Sequence, residues 1–353
     1  MPPVIKYTQL WDGAGLLEVD SCRLLLDCGW NEKFDVGEVE AALTRYAPQI
    51  DAVLLSHPDV PHLGALPVAV ARFGLNAPIY GTQPVHNMGQ MFLYDAYMSR
   101  SLREQFTGFT LNEVDAAFNE MRWQVIKYNQ RIDLVGRGKG ISVTARPAGH
   151  MLGGTAWLIL TETDEIVFSV DFNIFSEAHL PSFSMEGLSP TLLITGATSM
   201  GIKQESRKMR ESNLKDTIFK TLQRSGNVLI PVDSAGRILE LALILDRAWS
   251  QNERNMRRLG YGLALLTNFS YTTTSLAQLL GEYMCDEARD TKGAGPFDFN
   301  HIHLCHDFAE LERVRSPKVV LTSHSSLSGG FGAAFFTFFL FLRADCPAQR
   351  PSF

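Results

Sequence analysis

Short apolar runs alternate with polar turns through the first part of the chain. "RLLLDCG" (23–29) and "AVLLS" (52–56) are continuous enough to be strands buried on both faces. Between such runs, Asp35 with Glu38 and Thr110 with Glu113 have the N-cap and N3 spacing of a capping box, which predicts two helix starts. "MGQMFLYDAYM" (88–98) repeats its apolar residues at helical spacing, so its methionines and aromatics are expected in the core. From 123 to 172 the period shortens: "WQVIKYN", "ISVTARPA", "AWLILTE" and "IVFSVDF" predict strands joined by short turns, with "ETDE" as a hairpin. Short turns imply antiparallel pairing in that stretch.

After "TLLITG" (191–196) the rhythm changes. "ESRKMRESNLKDTIFKTLQRSG" predicts a helix stopped at Gly226, and "NVLIPV" a buried strand. "GRILELALILDRAW" predicts a helix with Ile238, Leu241, Ala242, Leu245 and Trp249 on one face. "LALLTN" and "KVVLTS" supply further strands, so the order strand, helix, strand predicts a second, parallel-sheet domain from about 200.

The chain has 353 residues, of which 45% are hydrophobic and 20% charged, with a net charge of -6. Such a chain can bury a large core and is expected to form two α/β domains; the charge excludes a general polyanion binder, and any RNA contact needs a local basic patch. Five widely spaced cysteines, Cys22, Cys28, Cys285, Cys305 and Cys346, form no C-x-x-C pair and are expected as reduced thiols in the cytosol or nucleus. The apolar run at 330–342 has thirteen residues, short of the ~20 that span a bilayer, so no membrane segment is expected.

The candidate chemistry lies in "LLSHPDVPHLGAL" (54–66). A hydrolase that uses two metal ions holds them roughly 3.5–4 Å apart and needs many ligands on short loops. The pattern H-x-H-x-D-H at a strand end supplies them, and here it becomes His57-Pro-Asp59-Val-Pro61-His62. Asp59 still offers oxygen ligands. Pro61 offers no side-chain donor and no N–H. His150, in a Gly-flanked loop between strands, and Asp171, at a strand end, are candidates to complete the set.

These residues, in this order, resemble the metallo-β-lactamase superfamily and, within it, the β-CASP nucleases. The resemblance is carried by "LLLDCGW" with Asp27, the loop at 57–62, "AGHMLGG" with His150, "SVDFN" with Asp171, and longer strings such as "PVHNMGQMFLYDAYMSR" and "GNVLIPVDSAGRILELALILDRAW"; it covers residues 1 to about 332. It implies an αββα sandwich, incomplete here, over 1–200, with a partial β-CASP domain over 201–332. His57, His62, His150 and Asp171 occupy metal-ligand positions, Asp59 replaces a histidine, and Pro61 replaces an aspartate. Gly196 stands where active members have an acid that orients a histidine.

The implied protein is a nuclear pseudo-nuclease of mRNA 3′-end processing with no full metal site and at most one weakly held zinc. Its expected partners are a homologous active endonuclease and the scaffold and other subunits of the polyadenylation complex; pre-mRNA is a candidate ligand. Residues 333–353 depart from the family and are expected to be an atypical, Phe-rich terminus, which raises the further expectation of an unstable fold.

Two other features have plainer readings. His301, His303, Cys305 and His306 would put three soft ligands on one strand face, but a structural zinc needs four, and an ordinary strand is the expectation. The run Lys203, Arg207, Lys208, Arg210, Lys215 could follow an RNA backbone, yet Glu205 and Glu211 dilute it and a solvated helix face is expected. The alternative function is a hydrolase with one zinc on His57, Asp59, His150 and Asp171.

Overall fold

A computed structural model describes residues 3–101, 105–198, 200–289, 295–327 and 329–343. The chain divides into two compact units: 1–97 with 106–204 and 273–298, and 98–105 with 205–272 and 299–353.

The first unit is built on two sheets. The six-stranded sheet runs in chain order through β1 (Ile5–Trp11), β2 (Ala14–Val19), β3 (Cys22–Leu26), β4 (Ala52–Leu54), β5 (Ile79–Gly81) and β6 (Trp123–Val125). Its first three strands pair antiparallel and the rest parallel. The five-stranded sheet has the order β11 (Leu192–Thr195), β10 (Glu165–Ser169), β9 (Thr155–Leu160), β8 (Ser142–Pro147), β7 (Arg131–Asp133). Its pairs are antiparallel except β10 with β11. The sequence-predicted strand at 123 thus joins the first sheet, parallel to β5, because the chain reaches it from a helix and not from a hairpin.

Alternation sorts the apolar side chains between two layers. Leu16, Leu25, Val53 and Ile79 pack in one core with residues of α1 (Val36–Tyr46), α3 (Leu66–Ala71), α4 (Gln83–Ser101) and α5 (Leu111–Ala117); a short helix, α2 (Val60–Leu63), precedes α3. Leu17, Leu24, Leu26 and Leu54 pack in a second core with Val143, Ala145, Trp157, Ile159 and Phe168 of the other sheet. Beyond that sheet, Ala156 and Val167 meet Phe183 and Leu188 of a loop. The Thr110–Glu113 capping box forms as expected, both bonds present. At α1 the Asp35 carboxylate accepts from Gly37 N–H rather than from Glu38 N–H, and Glu38 turns to Asn31, so the helix is capped but neither bond of the box is made.

The second unit holds an all-parallel sheet in the order β12 (Val228–Pro231), β15 (Lys318–Thr322), β13 (Gly262–Leu266), β14 (Ile302–Cys305). Its helices include α6 (Arg207–Gln223), α7 (Arg237–Gln251), α8 (Glu253–Leu259), α11 (Phe308–Arg313) and α12 (Gly330–Arg343). α6 is capped by Ser206 and closed by a Gly226 N–H bond to Thr221. α7 buries Ile238, Ala242, Leu245 and Trp249 as its period predicts, and also Glu240 and Asp246, while Leu241 stays half-buried. The Phe-rich segment forms α12, with Ala333 and Phe335 buried, Phe335 packing beside Phe308 and Phe331; residues 344–353 lie outside the described residues.

Residues 273–298, which hold most of α9 (Ser270–Leu279) and all of α10 (Asp286–Arg289), are placed by the sequence in the second domain. In the structure they group with the first unit. Cys285 N–H donates to the His179 carbonyl (3.0 Å), Tyr283 packs edge-on to Tyr128, and Phe297 meets the His179 ring. Residues 98–105 go the other way, into the second unit. Among the described residues no helix is long and apolar enough to cross a membrane.

Candidate functional site

The strand β4 ends in the sequence Leu54-Leu55-Ser56-His57, and β3 ends beside it at Leu26-Asp27. Asp27 is in the left-handed region (φ 59°) and 3% exposed. Its carboxylate accepts from the Ser56 amide (2.6 Å) and from the Ser56 hydroxyl (2.7 Å). The same hydroxyl lies 2.9 Å from His57 Nδ1. Burial raises the Asp27 pKa to about 6, even though the His62 charge and the Ser56 bonds oppose that rise.

His57 is fully buried, and its Nε2 has no hydrogen-bond partner among the described residues. Burial, and then the positive charge of His62 and His150, hold its pKa well below the usual histidine range, so it is neutral at pH 7. Gly154 lies against this ring: a Cβ there would be 2.9 Å from His57 Cδ2 and 3.0 Å from Nε2. Only glycine lets the two loops approach so closely.

The loop then enters α2 with Pro61 in the first turn, a position that needs no N–H. Pro61 is packed by its backbone, its carbonyl filling the space where Gly29 would carry a Cβ. His62 N–H and carbonyl are both used, the former by Asp59 and the latter by Cys28 N–H (2.8 Å). The short helix is therefore pinned by glycine contact and backbone bonds at the place where a nuclease loop would spend an aspartate.

Asp59, 9% exposed, directs its carboxylate to His62 Nδ1, a contact of ion-pair length. The other ring nitrogen of His62 lies 3.6 Å from Asp171 Oδ2. Burial alone would lower the His62 pKa, but Asp59 by charge and hydrogen bond, then Asp27 and Asp171 by charge, raise it to about 9. The Asp59 carboxyl answers in the opposite direction: burial would raise it, and the His62 charge and hydrogen bond hold it below the usual range. At pH 7 the two form a buried ion pair.

The structure thus brings His57, Asp59, His62 and Asp171 together. His150 joins them through the His57 ring, centroid to centroid 5.5 Å, against 4.6 Å between His57 and His62. It sits in the β8–β9 loop and Asp171 just past β10, as their sequence positions predict. Gly196 follows β11 and is exposed, and among the described residues a Cβ on it would meet only Val170 Cα at 3.9 Å. The position has room for a carboxylate and lacks one.

This donor set does not fit a pair of metal ions. Pro61 contributes no ligand, and the Asp59 carboxylate is directed to His62 Nδ1. Among the described residues no group of three or more His, Cys, Asp or Glu side chains is arranged to hold a metal ion. Ser56 and Gly154 were not singled out in the sequence, although a buried Asp27 must find donors nearby and Ser56 is the residue beside the strand end that can supply them.

The histidine-rich strand differs. In β14, Cys305 is buried in the core and His303 exposed, so the three residues do not share a face as strict alternation requires. Of the basic run, Lys203 precedes α6 and the other four lie on its first half, where Arg207 pairs with Glu211 (2.6 Å).

Residues 16–195 match the metallo-β-lactamase superfamily domain and residues 238–340 the β-Casp domain, the latter reaching into the Phe-rich helix. The chain is 46% identical over 322 residues to a probable cleavage and polyadenylation specificity factor subunit 2 of Drosophila melanogaster, covering 90% of this chain and 42% of that protein. It is 40% identical to the Arabidopsis thaliana cleavage and polyadenylation specificity factor subunit 2, over 91% of this chain and 43% of that one. It is also 27% identical to the endoribonuclease YSH1 of Eremothecium gossypii, over 80% of this chain and 37% of the relative. The chain therefore spans about two-fifths of the length of the curated relatives it matches. With the two-sheet sandwich, the parallel second sheet and these matches in agreement, the chain belongs to the metallo-β-lactamase superfamily and carries a β-Casp domain.

Proposed function

We propose that this chain is a non-catalytic member of the nuclear machinery that cleaves and polyadenylates pre-mRNA 3′ ends, and that it works by assembling with a homologous active endonuclease and the complex's scaffold. The relatives named as cleavage and polyadenylation specificity factor subunit 2 support the process. One observation carries the non-catalytic part: the Asp59–His62 pair beside Pro61. Hydrolysis at neutral pH by this superfamily's chemistry requires metal to lower the pKa of water. Here the loop spends its carboxylate on its own histidine.

The test is a nuclease assay of the purified chain with zinc or manganese on single-stranded RNA, together with metal counting. No cleavage above background and less than one tightly held metal ion per chain are expected. RNA cleavage that disappears in His57→Ala would overturn the reading. For the assembly role, the chain is expected to co-purify with the homologous endonuclease; failure to do so when both are co-expressed would count against it.

A single-zinc hydrolase is the second reading, favoured by one feature: the buried Nε2 of His57 has no hydrogen-bond partner among the described residues. One zinc per chain, lost in His150→Ala, would support it, and its absence would sink it.

A further inference from the structure

The first unit has a cavity of about 340 Å³ lined by Asn129, Arg146, Pro147, Ser182, Ser184 and Glu186. None of these residues belongs to the histidine loop. Arg146 is the penultimate residue of β8, half-buried, and Asn129 faces it from the preceding turn in the left-handed region (φ 63°). Asn129 N–H donates to the Ala145 carbonyl (2.8 Å), which fixes the turn, and its side-chain oxygen accepts from Arg146 Nη1 (2.9 Å).

That single bond engages one of the five guanidinium N–H groups. The Arg146 Nε is buried without a hydrogen-bond partner, and among the described residues no carboxylate lies within ion-pair distance of the guanidinium. A buried charged donor left unmet is costly, so its edge calls for an acceptor that the described residues do not supply. The rest of the lining offers donors as well. Asn129 has its oxygen in use and so presents its NH₂. Ser184 accepts from Glu186 N–H (3.1 Å), which leaves its own proton free, and Ser182 adds a second hydroxyl.

A fork of two N–H groups with an amide and two hydroxyls around it suits an oxyanion that accepts from several directions. We propose that this cavity binds a phosphate group, carried by an RNA backbone or present as the free ion. The chain's net charge of -6 gives no general field for anions, so the attraction is local to the guanidinium. Glu186 is the acidic side chain of the lining and works against it. The volume falls at the lower end of small-ligand sites, roughly 300–1,000 Å³, enough for a phosphate with part of its sugar. RNA enters as a candidate source because the proposal rests, for that choice alone, on the 3′-end-processing reading.

Calorimetric titration of the full chain with inorganic phosphate and, separately, with a short oligouridylate tests it. Binding of either probe is expected to weaken about tenfold or more in Arg146→Gln, less in Arg146→Lys, and to strengthen in Glu186→Gln. Phosphate binding without RNA binding identifies the free ion as the ligand; RNA binding without phosphate binding identifies the backbone. No binding of either probe, or binding unchanged in a cooperatively folded Arg146→Gln, overturns the site. If Arg146→Gln does not fold, unchanged affinity in both Glu186→Gln and Ser182→Ala overturns it instead. A chain that binds phosphate here but never joins an endonuclease fails the functional reading and keeps this one; a chain that joins its partner but binds neither probe does the reverse.

Discussion

Two short segments of this chain are dense in histidine, and the fold treats them in opposite ways. At 57–62 the side chains are buried and turned on one another: Ser56 bonds Asp27 and His57, and Asp59 holds His62. At 301–306 the histidines lie on and beside an edge strand, His303 and His306 exposed and Cys305 turned into the core. Density of soft ligands along the chain is therefore a poor guide to convergence in space. Convergence at 57–62 comes from two adjacent parallel strands, β3 and β4, ending together, whereas β14 is an edge strand paired with β13 alone.

If that contrast is right, substitutions in the first segment should be far more costly than in the second. The largest effect is expected for Gly29→Ala, whose new Cβ would collide with the Pro61 carbonyl: a loss of about 4 kcal/mol or failure to fold, measured by urea unfolding. Asp27→Ala is next. It strands the Ser56 amide and removes a charge that stabilises protonated His62, and a loss of roughly 3 kcal/mol is expected in the same measurement.

The pH dependence sharpens the comparison further. His62 is raised to about 9 in the fold from an ordinary value near 6.5, so its contribution to stability is fully present below about 6.5 and is lost as pH rises through about 9. The thermal midpoint should fall across that window, and His62→Gln should flatten the fall. A decline of unchanged size in His62→Gln would break the ion-pair assignment. The smallest effect belongs to the other segment: His303→Ala, exposed on β14, should change stability by no more than about 0.5 kcal/mol. A loss as large as that of Asp27→Ala would mean that the edge strand holds a site after all.

Much of the architecture was legible because periodicity reports burial. The apolar runs at 23–26, 52–54, 142–147 and 155–160 are strands, "ETDE" is the turn between β9 and β10, and the heptad-like spacing of 237–251 is α7. The strand at 123 pairs with β5 and not with the antiparallel strands that follow it, since apolar content does not state the direction of pairing. The Asp35 capping box does not close, because Asp35 caps Gly37 and Glu38 is drawn to Asn31, a competitor invisible to a rule that spans only i to i+3. Segment 273–298 looked continuous with what precedes it, yet its backbone bond to His179 and its rings against Tyr128 group it with the first unit.

The sequence by itself determined which donors the histidine loop possesses: Pro61 cannot ligate, Asp59 is a carboxylate where an imidazole would serve, and Gly196 carries nothing. These are facts of covalent structure and need no coordinates. The tertiary structure decided what the surviving groups do, because protonation and hydrogen bonding depend on burial and on charges brought in from β3, the β8–β9 loop and the end of β10. It turned Asp59 toward His62, gave Asp27 the Ser56 donors, left His57 neutral with an unpaired Nε2, and opened at Arg146 a donor-lined cavity that no spacing along the chain announces.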